Sequence, residues 1–143
     1  MPIMTLDIHQ GIGRIVELGR TKPIKPVLVA VHAPGAHHGK TYFINRACRS
    51  LSAHGYDVWS TNDFDHPDGY APYLMNDRDY YFFHIGMKGP RPDVVNDYTR
   101  RYLGRDADIH VLVYNPRMVP RPMIRKGVDI VIENPGSTRK GKL

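Results

Sequence analysis

Residues 29–41 of this chain read Val-Ala-Val-His-Ala-Pro-Gly-Ala-His-His-Gly-Lys-Thr. That order of residue types suits the binding of phosphate. An apolar, β-branched run over 27–33 predicts a buried strand, 34–39 a loop by its Pro and Gly content, and Lys40 the start of a helix. The free N–H groups at a helix start point outward, and the helix dipole adds partial positive charge there. Gly39 permits close backbone approach, Lys40 can reach terminal phosphates, and the Thr41 hydroxyl can join a Mg²⁺ shell. The usual phosphate loop opens on Gly, whereas here Pro34 holds that position and Gly35 follows. Ala36, His37 and His38 complete the loop. His37 and His38 could lie beside the phosphates, but the favoured expectation is that the backbone binds while both rings project into solvent.

Further chemistry would come from carboxylates and arginines placed near such a loop. The stretch 62–73 is rich in Asp, Pro, Gly and aromatic residues and reads as a functional loop. Asp63 or Asp65 would accept a proton from an acceptor hydroxyl, and Asp63 would complete the metal shell with Thr41. Asp68 and Tyr70, with Tyr73, are candidates for the acceptor pocket; the tyrosines would equally serve to pack the loop down. Arg117, Arg121 and Arg125 lie in a Pro-rich link where a lid would sit, with Arg121 the candidate for stabilising transition-state charge. A solvated basic connector is the equal alternative. The eight histidines include no HExxH pair and the single Cys48 has no partner, so the spacing gives no zinc motif.

The elements that must position these residues follow from periodicity. A helix is predicted over 5–18, with Ile8, Ile12, Ile15 and Val16 on one face, Thr5 as cap and Gly19 as stop. A Lys/Pro-rich connector fills 21–26. The second helix runs over 40–54 with Ile44, Ala47, Cys48 and Leu51 inward and Gly55 as its end. Strands are predicted over 57–61, 80–84, 109–114 and 128–133, and a helix over 93–103. The link 115–127 carries three prolines and is long enough for a parallel crossover. Alternation of strand and helix argues for a parallel α/β sheet flanked by helices, in one domain over 1–143 with a basic tail at 138–143.

Composition sets the outer limits. The formal charge is +6, which favours anionic partners. No apolar run reaches membrane-spanning length, no secretory pattern opens the chain, and one cysteine permits no internal disulfide. A cytoplasmic setting without a membrane partner is expected.

On these residues the chain resembles the P-loop small-molecule kinases, above all the uridine-kinase-like group and its nucleoside-monophosphate-kinase relatives. The likeness is carried by an initial helix, a Lys/Pro-rich stretch, the strand Val-Leu-Val-Ala-Val at 27–31, the loop at 34–41, and a second strand followed by Asp63-Phe64. The string Phe-Asp-His-Pro-Asp at 64–68 and the stretch 128–137, with Asn134, Pro135 and Gly136 in place of an adenine-side turn, add to it. The resemblance implies a three-layer P-loop NTPase-type sandwich with a five-stranded parallel sheet, order 2-3-1-4-5. It also implies ATP and Mg²⁺ as cofactors, and transfer of the γ-phosphate to a nucleoside, nucleotide or similar hydroxylated acceptor. Two departures favour the alternative of a reduced, regulatory nucleotide binder: His84 stands where an acid is usual, and the lid is short. A nucleic-acid-binding protein or polynucleotide-end kinase is the third reading. The small size leaves room for a dimer that completes the site.

Overall fold

The computed structural model describes residues 4–61, 78–84 and 89–135. Its centre is a six-stranded, wholly parallel sheet. The elements in chain order are β1 (Thr5–Leu6), α1 (Ile8–Gly19), β2 (Val27–His32), α2 (Lys40–Ala53), β3 (Val58–Thr61), β4 (Tyr80–Phe83), α3 (Pro92–Leu103), β5 (Ile109–Tyr114) and β6 (Ile130–Glu133). Across the sheet the order is β1-β6-β5-β2-β4-β3. The expected strands therefore lie in the order 2-3-1-4-5 among themselves, but the count of five is corrected to six.

The sixth strand arises from a capping box. The Asp7 carboxylate accepts the Gln10 N–H at 2.7 Å, and the Gln10 carboxamide oxygen accepts the Asp7 N–H at 3.0 Å. Two orphan donors are satisfied reciprocally, so the helix starts at Ile8 and not at Thr5. Thr5 and Leu6 are left extended and pair with Val131 and Ile132 of β6. Gly19 lies inside the last turn of α1, buried against Tyr80, rather than acting as a stop.

Side-chain alternation divides the core into layers. Val27, Val29 and Val31 face α1 and α2, meeting Ile12 and Ile15 of α1 and Phe43, Ile44, Ala47 and Leu51 of α2. On the other side Leu28, Ala30, Tyr81 and Phe83 pack against Val95 of α3. Beyond α3 that layer is completed by Val128 of the link, against Leu112, Tyr114 and Val131. The link is a series of turns with no helix in it.

The N-terminal edge of the sheet is tied by aspartates, each immediately preceding a strand. Asp79 accepts the Asp57 N–H through its carboxylate at 2.7 Å and the Val27 N–H through its main-chain oxygen at 2.9 Å. Asp108 accepts the Leu28 N–H and Asp129 the His110 N–H, both at 2.8 Å. These ties join β3 to β4, β4 to β2, β2 to β5 and β5 to β6. They satisfy donors that the parallel ladder leaves unpaired at strand starts.

Candidate functional site

The opposite, C-terminal edge gathers the ends of β2, β4, β5 and β6. In open parallel sheets ligands bind at this edge, where neighbouring connections leave in opposite directions. That point falls between β2 and β5. The chain leaves β2 through the loop to α2 and β3 on one side, and leaves β5 through the link to β6 on the other.

The loop from Pro34 to Gly39 joins β2 directly to α2. Its last residue, Gly39, is the helix cap, with φ 87° and ψ 31° in the left-handed region, and among the described residues no side chain caps the helix. Glycine takes that conformation without steric cost. The first helical residues are Lys40 and Thr41, with no acid in the first turn. Thr41 is exposed, and a side chain built at Gly35 would meet no atom within 4 Å. A strand buried on both faces thus ends in an uncapped helix start carrying a lysine.

The two histidines part company. His37 is exposed, as expected, with φ 68°. His38 is not: it is 3% exposed, and its Nδ1 accepts the Asn115 N–H at 2.9 Å. The expectation that both rings project into solvent is corrected for His38, because β5 ends beside β2 and offers an N–H that the ring covers. Burial, then the positive charges of Lys40 and His37, hold the His38 ring below the usual histidine range. It is neutral at pH 7.

Beneath the loop lies a chain of polar groups that the sequence reading missed. Asn96 of α3 accepts the Ala107 N–H through Oδ1 at 3.1 Å, so the same oxygen accepts from His110 Nε2 at 3.0 Å. His110 Nδ1 is then an acceptor, taking the Nε2–H of His32 at 2.9 Å. His32 Nδ1 in turn accepts the Arg91 N–H at 3.3 Å. A main-chain donor at each end fixes both tautomers, and both rings are neutral. Desolvation, then His110 and Lys40, lower His32 to about 3, while burial lowers His110 against the opposing pull of Asp129 and Asp106. The signal was present in the sequence: one imidazole stands in each of two otherwise apolar strands, VLVAVH and IHVLVY.

Asn134 follows β6 at the same edge, 2% exposed, its N–H donated to the Tyr114 carbonyl at 2.8 Å. Pro135 is exposed. Arg117, Arg121 and Arg125 are exposed along the link and form no ion pair with any described residue. His84 follows β4, half-buried. Asp63, Asp65, Asp68, Tyr70, Tyr73 and Gly136 lie outside the described residues, so Thr41 is the one described member of the expected magnesium set. Among the described residues no group of three or more His, Cys, Asp or Glu side chains could hold a metal ion. No described helix is long and apolar enough to cross a membrane. Cys48 is half-buried, and burial raises its thiol above the usual range.

The class defined by fold and site is a parallel α/β protein with a basic, uncapped loop-to-helix junction at the C-terminal sheet edge. No known protein-family model matches the chain, and no curated protein or solved structure is significantly similar to it.

Proposed function

We propose that the chain is an ATP-binding P-loop phosphotransferase acting on a nucleoside, nucleotide or similar small hydroxylated acceptor. The observation that carries this reading is the junction at Gly39. A left-handed glycine opens α2 with no side-chain cap from any described residue, Lys40 follows at once, and among the described residues the charge of Lys40 acts on neighbouring His38. A lysine directly after a helix start whose N–H groups point outward is an arrangement that suits a polyanion.

In this reading Lys40 and the main-chain N–H groups of the loop hold the phosphates. Thr41 and Asp63 would hold Mg²⁺, which supplies charge neutralisation when bound. Asp63 or Asp65 would take the acceptor proton, Asp68 and Tyr70 would contact the acceptor, and Asn134 with Gly136 would face the base. Phosphoryl transfer asks for positioning and charge stabilisation more than covalent participation, which suits so compact a set.

A regulatory nucleotide binder is the second reading, and two observations favour it. The residue after β4 is His84 and not an acid, and the link after β5 is built of turns rather than a helical lid.

The test is incubation with γ-labelled ATP, Mg²⁺ and a panel of nucleosides, nucleoside monophosphates and oligonucleotide ends, beside Lys40→Ala. Labelled product lost in the variant is the result expected of the kinase. No transfer, with ATP still protecting the wild type against heat, would favour the regulatory binder. Absence of both transfer and protection would refute the phosphate-loop reading.

A further inference from the structure

Asn115 is fully buried, and four of its hydrogen bonds to described residues share one purpose. Its N–H donates to His38 Nδ1 at 2.9 Å. Its side-chain oxygen accepts the Arg117 N–H at 2.9 Å. Its main-chain oxygen accepts the N–H groups of Met118 and Val119, both at 3.0 Å. One side of this residue therefore grips the phosphate loop, and the other folds the chain into a turn that begins with Arg117. β5 pairs with β2 up to His32↔Leu112, so Asn115 stands level with the loop.

We propose that His38 and Asn115 form a latch that holds Arg117 at the phosphate loop, making Arg117, and not Arg121, the arginine that contacts bound phosphate. The inference deepens the phosphate-binding reading above and rests on it. Arg117 is exposed and has no ion pair with any described residue, while its main chain is fixed two residues from the latch. Arg121 lies four residues further along a run of turns, with no hydrogen bond returning it to the loop among the described residues. A guanidinium held beside a phosphate site loses less freedom on binding than one on a loose segment.

The latch has a required protonation state. An N–H can only donate, so His38 Nδ1 must keep its lone pair; a doubly protonated ring would set N–H against N–H and open the contact. Among the described residues, Lys40 from α2 and His37 from the loop act on the ring, and the charge of Lys40 opposes a further positive charge.

The full chain can be tested with inorganic tripolyphosphate as probe and with Asn115 amide exchange measured without ligand. His38→Asn places a carboxamide oxygen where Nδ1 accepts but cannot take up a proton; His38→Ala removes the acceptor. Asn115 exchange should be slow in wild type and His38→Asn, and at least about tenfold faster in His38→Ala. Arg117→Gln should weaken tripolyphosphate binding by about tenfold, consistent with one lost charge-assisted bond, and Arg121→Gln by less than about threefold. Fast Asn115 exchange in wild type would overturn the latch. Equal losses in the two arginine variants would overturn the assignment of Arg117. Slow exchange with no tripolyphosphate binding at all would overturn the phosphate reading and the role of Arg117 together.

Discussion

Acid should destabilise this protein before it reaches the carboxylate range, and His32 is the main cause. The ring is neutral when folded, with its proton affinity lowered from 6.5 to about 3 by burial, by His110 and by Lys40. In the unfolded chain it titrates normally. Below pH 6.5 the unfolded state binds a proton that the native state refuses, so stability falls with pH until the folded value is reached. Between pH 7.5 and pH 5.0 this costs about 2 kcal/mol, at 1.36 kcal/mol per unit over roughly one and a half units. Further acidification adds to the loss down to about pH 3. A domain of this kind has about 5–15 kcal/mol in total, so the effect is a large fraction. Urea unfolding followed by circular dichroism at pH 7.5 and 5.0 gives the two free energies. His32→Gln keeps an N–H to donate to His110 and removes the titration. It should be less stable than wild type at pH 7.5, because the Arg91 N–H loses its acceptor, yet lose about 2 kcal/mol less between the two pH values. Equal losses in wild type and variant would refute the reasoning, since His38 and His110 remain in both.

Three other expectations can be checked by the same unfolding measurement. Gly11→Ala would put a methyl group 2.3 Å from Ile132 Cδ1 and 2.6 Å from its Cγ1, so the variant should lose about 1–3 kcal/mol. Gly13→Ala, one turn position away with nothing within 4 Å, should gain about 0.5–1 kcal/mol from helix propensity; a shared sign for the two would contradict the packing of α1 on β6. Asp108→Ala strands the Leu28 N–H and leaves Arg105 without its carboxylate partner at 2.7 Å, for a loss of about 1–3 kcal/mol, whereas Asp108→Asn, which keeps an acceptor oxygen, should recover much of it.

What could be read in the sequence was whatever local pattern decides. The β-branched run of β2, the helical spacing of Ile44, Ala47 and Leu51, and the glycine before Lys40 each act within a few residues, and each corresponds to an element or cap in the fold. What escaped depends on distant partners. Thr5 looks like a helix cap until Asp7 and Gln10 cap each other, and Thr5–Leu6 is a strand only because β6 lies alongside. His38 looks like a loop histidine until β5 supplies the N–H that buries it. The His32–His110 pair lay between these cases. Each ring interrupts an apolar strand, but only the adjacency of β2 and β5 says that they meet.

The aspartate ties at the strand starts bear on how this protein can tolerate change. A slip of one residue between neighbouring strands would turn every inward side chain outward. Here each of the four pairings among β3, β4, β2, β5 and β6 is held at the margin farthest from the loop between β2 and α2. The loops at the other margin are thereby relieved of keeping the strands aligned. They can be lengthened, shortened or exchanged while the sheet stays in register, so a binding specificity could be grafted onto that margin without first re-solving the fold.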